Sequence, residues 1–166
     1  MPNSAELSHL SMCNDEGDAP EKLARFFIEE KGFSESDLEL RLFINTCINN
    51  ETVTSKIAVT LCLQNKRVMI IRYAPGSLVT REKSAVAAAR ILEKSYQIPL
   101  AVVTNGESLE LLDTYSGKVL AESFSSLPSK DELLSQMDVL KFQPNTDPKN
   151  REKAKRILNV FDVVNL

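Results

Sequence analysis

The sequence predicts an α/β domain with a mixed central sheet flanked by helices. Three observations carry that prediction. Three strand-like runs follow one another between residues 38 and 74, joined by short polar turns. A helical stretch over residues 81–96 then leads to a wholly apolar run, Pro99 to Thr104, of the kind found inside a sheet covered on both faces. The full order is helix, three strands, helix, strand, hairpin, helix, helix, which fits antiparallel strands followed by one helical crossover.

Residues 1–18 are polar and mixed and form an expected N-terminal arm. From Pro20 the pattern is helical. Asp18 can cap, Pro20 suits the first turn, Glu21 favours the positive end of the dipole, and Gly32 stops the helix after a stripe of Leu23, Phe26, Phe27 and Ile28. Leu38, Leu40, Leu42 and Ile44 alternate with Glu39, Arg41 and Phe43, which places the four aliphatics on one strand face. Asn49-Asn50-Glu51 is a hairpin turn. Ile57, Val59, Leu61 and Leu63 then share one face of the second strand. The third, Arg67 to Ala74, is apolar on both faces at Val68 to Ile71 and is therefore central. Alanines 85, 87, 88 and 89 let the next helix lie close to a sheet. After Pro99 to Thr104, Asn105-Gly106 makes a tight turn. Leu109, Leu111 and Leu112 pair with Val119 to Phe124, and Ser129 with Glu132 forms a capping box. Residues 141–166 supply a polar, Pro-containing linker and a closing helix with the stripe Ala154, Ile157, Leu158 and Phe161, expected to pack on the domain. The apolar tail Val160 to Val164 is expected to dock on the core or, failing that, to make a homodimer contact.

The composition excludes several classes of function. The chain has 166 residues and a formal net charge of −3, so it is not an overall basic nucleic-acid binder. No apolar run approaches the roughly 18–20 residues that a membrane span needs, and the N-terminus has neither the basic nor the apolar segment of a secretory signal. The cytoplasm is the expected compartment, with no membrane partner. His9 is the single histidine, and Cys13, Cys47 and Cys62 form no CxxC pair. A zinc site or a His-based triad therefore lacks its ligands, and Cys47 and Cys62 are expected to act as small hydrophobes in apolar strands. Gly76-Ser77 and Asn105-Gly106 are single turns. Neither GxxxxGK nor GxGxxG occurs, so an ATP-driven motor is not expected within these residues.

Several strings in order along the chain resemble one family. They are Pro20-Glu21-Lys22 with Phe26 to Gly32 (FFIEEKG), a hairpin before Ser55-Lys56-Ile57-Ala58-Val59, Met69 to Leu78 (MIIRYAPGSL), Gln97 to Gly106 (QIPLAVVTNG) and Leu127-Pro128-Ser129. Over residues 19–140 the sequence resembles the N-terminal domain of the type I restriction enzyme R subunit, within the restriction-endonuclease-like PD-(D/E)xK superfamily. The resemblance implies a restriction-endonuclease-like fold. It also implies a Mg²⁺-dependent endonuclease activity, with an Asp on the second core strand and a Glu-x-Lys on the third. Anchored on Ala74-Pro75, the Glu-x-Lys falls on Ile71 and Tyr73. Shifted by one, it falls on Ile70 and Arg72. The Asp position falls on Lys56 or Ala58. None of these is a carboxylate.

A second argument needs no resemblance. Residues 52–81 contain no Asp or Glu, and Mg²⁺ is a hard cation that takes carboxylate oxygens. No catalytic residue, metal or cofactor is therefore expected. Mg²⁺ enters only through a relocated site, for which Glu21, with Glu29 and Glu30 on the same helix, is the candidate. Charge is uneven along the chain. Residues 1–40 hold ten acids and three bases, whereas residues 66–94 hold seven bases and two acids. Lys66, Arg67, Arg72, Arg81, Lys83 and Arg90 are thus the candidate phosphate contacts of a weak, sequence-tolerant DNA-binding face. The competing reading is a solvated helix face with ordinary turn charges, Glu82 and Glu93 pairing locally. The sequence therefore points to a catalytically inactive nuclease-fold module that binds DNA or another protein subunit. The alternatives are a purely structural or regulatory interaction protein and an active nuclease with a relocated site.

Overall fold

The computed structural model describes residues 17–162. It shows a mixed α/β fold, a six-stranded sheet flanked by four helices. In chain order the elements are α1 (Ala19–Lys31), β1 (Leu38–Ile48), β2 (Glu51–Leu63), β3 (Lys66–Tyr73), α2 (Glu82–Ile91), β4 (Leu100–Thr104), β5 (Leu109–Asp113), β6 (Val119–Ala121), α3 (Lys130–Gln136) and α4 (Pro148–Asp162). Each strand lies beside its sequence neighbour. Only β3 and β4 run parallel, because α2 carries the chain across between them.

Two layers cover the sheet. The front layer is α1 and α3, which seal a core of Leu23, Phe26, Phe27, Val59, Leu61, Met69, Ile71, Val102 and Leu133. Its rings meet edge to face: Phe26 on Phe27 and Phe26 on Phe124 at 5.3 Å, Phe27 on Phe33 at 5.8 Å. The back layer is α2 and α4, packed on Ile57, Ile70, Ala101, Val103 and Leu112. Here Ala85, Ala87, Ala88 and Ala89 are buried and let α2 approach the sheet closely, as their small size predicts.

Local chemistry sets most boundaries. Gly32 closes α1 in a left-handed conformation (φ 80°) that costs glycine nothing. Asp18 makes no side-chain cap on α1; it pairs with Lys22 at 3.5 Å instead. Asn49 and Asn50, both at positive φ, form the two-residue turn between β1 and β2. Ser129 caps α3 by accepting from the Glu132 N–H at 3.2 Å.

The structure corrects three expectations. The helix read over residues 81–96 ends at Ile91. There the amide of Asn145, from the linker, lies within 3.0 Å of the carbonyls of Arg90, Glu93 and Tyr96 and stops the helix from outside. The returning strand read from Val119 to Phe124 pairs only as far as Ala121. Its chain then turns so that Phe124 can enter the front core. Finally, the aliphatics of β1 and β2 do not share one face. Leu38 and Leu40 pack in the front core, whereas Leu42 and Ile44 pack in the back; Val59, Leu61 and Leu63 are front, Ile57 back. The inversion occurs at Arg41, which sits mid-strand at φ 60°. The ladder passes from Leu40 opposite Val59 to Leu42 opposite Ile57, so both strands turn over together and the register survives.

Candidate functional site

The inversion at Arg41 creates the site. Beyond it, the back of the β1–β2 hairpin is covered by α4, while among the described residues the front layer reaches only to the N-terminus of α1. A cavity of about 480 Å³ opens there, lined by Gly17, Pro20, Arg41, Leu42, Phe43, Thr54, Lys56, Ile57, Ala58 and Tyr73. Phe43 and Lys56 are direct cross-strand partners on this front face, and Thr54 donates to Asn45 at 2.7 Å.

A non-glycine residue at positive φ inside a strand is strained, and such strain clusters at ligand-binding and active sites. The Arg41 guanidinium holds this conformation through a two-pronged pair with Glu21 on α1, one contact at 2.9 Å, and through the carbonyl of Gly17. The pair holds the Glu21 carboxyl below its ordinary range and raises the Arg41 guanidinium.

Three of the positions that the resemblance assigns to the metal-binding strands meet here. Lys56, Ala58 and Tyr73 all line the cavity. Ile71 is buried in the front core and Ile70 in the back. Among the described residues, no carboxylate lines the cavity and no three of His, Cys, Asp and Glu cluster. Glu21, the candidate for a relocated metal ligand, is engaged by Arg41. Such a donor set offers Mg²⁺ no group of hard anionic oxygens and does not fit the ion.

The basic residues read as phosphate contacts divide between the two ends of β3. At its start, Lys66 lies over the Phe142 ring at 4.6 Å. Arg67 pairs with Glu39 at 2.9 Å and Glu93 at 3.2 Å. Arg90, at the end of α2, donates to the Thr114 carbonyl at 2.9 and 3.1 Å. At the far end, Arg72 pairs with Asp162 at 3.1 Å and donates to the Lys56 carbonyl at 3.0 Å. Arg81 and Lys83 flank the start of α2 on that same side, Lys83 exposed. Arg67, Arg72 and Arg90 are thus engaged within the protein.

The cysteines also separate. Cys62 is half-buried with its thiol 3.0 Å from Glu39 Oε1, and burial, reinforced by that carboxylate, pushes its pKa up to about 12. A thiol held this far from thiolate is inert. Cys47 is exposed, contrary to its reading as a small hydrophobe, because the inversion turns it off the back core. Cys13 and His9 lie outside the described residues. Sequence reasoning missed Phe43 and Thr54 as site residues; the signal for Phe43 was a large ring at a position whose strand neighbours are already buried on the other face.

A mixed six-stranded α/β sheet, with a cavity where α1 meets the first hairpin that no carboxylate of the described residues lines, is the class that fold and site define. The family model for the type I restriction enzyme R protein N terminus (HSDR_N) matches residues 19–128, and the chain belongs to that family. No curated protein and no solved structure matches it. Among the described residues, no helix is long and apolar enough to cross a membrane.

Proposed function

We propose that this protein is a non-cleaving member of its family, a restriction-endonuclease-like module that binds DNA without cutting it. The observation that carries the reading is the cavity. It holds Lys56 and Ala58, on which the pattern's Asp falls, beside Tyr73, on which its Lys falls, and none of the three is a carboxylate. Glu21 is neutralised by Arg41, so no relocated acid pair supports the activation of water. Lys56 at the cavity and Arg81 and Lys83 beside α2, next to Glu82, are the cations that suit phosphate oxygens without reading base edges. Binding is therefore weak and sequence-tolerant.

Fluorescence anisotropy on a labelled duplex at low and moderate salt, with Mg²⁺ and with EDTA, tests this reading. Binding that weakens steeply with salt, in tubes where the DNA stays intact, is the expected result. Lys56→Ala and Lys83→Ala should each reduce affinity and flatten the salt dependence. Cleavage that EDTA stops and Glu21→Gln abolishes would overturn the reading. Absence of binding at low salt would replace DNA with a protein subunit as the partner.

A further inference from the structure

We infer that the cavity beside α1 seats this chain's own N-terminal arm, with Leu7, Leu10 and Met12 against Leu42, Phe43 and Ala58. The arm, residues 1–16, lies outside the described residues. The inference stands apart from the DNA-binding reading and survives its failure. Three observations lead to it: the wall of the cavity, the point where the chain enters the domain, and the sequence of the arm.

The wall is largely apolar. Pro20, Leu42, Phe43, Ile57, Ala58 and Tyr73 form most of it, and the Phe43 ring is 60% exposed. Arg41 is already paired with Glu21, and Lys56 and Tyr73 have interactions of their own, so the cavity offers apolar surface and calls for no charged ligand. The entry point of the chain is fixed at the rim. Gly17 lines the cavity and its carbonyl accepts from the Arg41 guanidinium, so the clamp that holds the strained backbone of β1 also holds the end of the arm. Leu10 stands seven residues before Gly17, which is at most about 25 Å of extended chain. A tether this short sets an effective concentration on the order of millimolar, which favours the arm over a second copy of the chain as occupant. The sequence of the arm suits the wall. Leu7 to Cys13 (LSHLSMC) carries no Asp, Glu, Lys or Arg, whereas Glu6 precedes it and Asp15 and Glu16 follow. Leu7, Leu10 and Met12 can therefore enter without desolvating a charge, and their burial takes apolar surface of both partners out of water.

Two measurements on the full chain, without DNA, test the contact. The first is NMR with labelled methyl groups, where nuclear Overhauser effects are expected from the methyls of Leu7, Leu10 and Met12 to the Phe43 ring. A sample that mixes labelled with unlabelled chain separates contacts within one molecule from contacts between two. The second is cleavage after Glu6 by a Glu-specific protease, which needs the arm undocked. Leu10→Ser with Met12→Ser should speed that cleavage roughly tenfold or more, the range for losing one buried apolar side chain. Phe43→Ser should speed it as well, although it leaves the sequence around the cleavage point untouched. The circular dichroism of the three proteins should be the same, since Phe43 lies largely in solvent and Leu10 and Met12 precede the domain, which excludes a failure to fold as the cause. Absence of the Overhauser effects, or equal cleavage in all three proteins, would overturn the inference. Overhauser effects seen only between labelled and unlabelled copies would also overturn it and assign the face to a second copy of the chain.

Discussion

The two layers on the sheet solve the same packing problem with opposite materials. The front is closed by four phenylalanines in edge-to-face contact, over a stretch that among the described residues reaches to α1. The back is closed by a run of alanines on α2 and is carried out under the hairpin by α4, which anchors itself through a buried ion pair. Large rings seal a surface with few residues and then stop. Small residues and one charge pair reach further but hold less per side chain. Among the described residues, the cavity lies where the front layer has ended and the back layer has not.

Deleting a front ring should have the largest effect. Phe27 is 1% exposed and touches two other rings, so Phe27→Ala is expected to cost about 3–5 kcal/mol in urea unfolding. A loss below about 2 kcal/mol would show that the neighbouring rings collapse into the space and that the front is not a fixed mosaic.

The anchor of the back layer comes next. Asp162 accepts from Arg72 and from the Ser55 hydroxyl on one oxygen, while its Oδ1 is buried with no hydrogen-bond partner. Asp162→Ala strands the Arg72 guanidinium and should cost about 3 kcal/mol. The double variant Arg72→Met with Asp162→Leu should lie within about 1 kcal/mol of wild type, since a desolvated pair returns little over apolar side chains of similar size. If the double variant is as unstable as the single, the pair is a net source of stability and the contrast between the layers fails.

The smallest effect depends on pH. Glu110 on β5 pairs with Val103, on the back side of the sheet, close to Glu82 at the start of α2. Burial, then the hydrogen bond and charge of Glu82, push the Glu110 carboxyl up from 4.5 to about 7. Its folded form therefore holds a proton that the unfolded chain has already released. The stability it contributes is present below about pH 4.5 and is lost as pH rises through 7. Glu110→Gln should remove that fall, a difference of about 1 kcal/mol after screening by solvent. Thermal melts of both proteins from pH 5 to 8 check it, and parallel curves would show that the two carboxyls do not share a proton.

These contrasts also explain what the sequence revealed. Order, turns and the central strands were legible because each rests on local chemistry: paired asparagines at positive φ, Ser129 with Glu132, an apolar run at Val68 to Ile71. The inversion at Arg41 was not. An apolar period of two runs straight through it, and arginine carries none of the signature that a glycine would give a left-handed residue. The early end of α2 was hidden for a different reason, because its cap, Asn145, arrives from the distant linker. The basic cluster was countable, but its partners were not. Glu39, Asp162 and the Thr114 carbonyl reach Arg67, Arg72 and Arg90 only after the chain has folded. The candidate site was thus half visible: Lys56, Ala58 and Tyr73 through resemblance, Phe43 and the cavity only through geometry.

A sheet whose spatial order equals its chain order has a kinetic consequence. Most strands can zip onto the preceding one after closing only a short loop, so much of the ordering entropy is recovered locally. Contacts that close long loops come from elsewhere: Phe124 packs on Phe26 of α1, and Asp162 at the end of α4 meets Ser55 across 107 residues of chain. Docking of α4 is expected late in assembly, because the longest of these loops must close first. Interactions formed after the rate-limiting barrier govern how fast a protein comes apart and hardly how fast it assembles. The Arg72–Asp162 latch is in that sense a brake on unfolding.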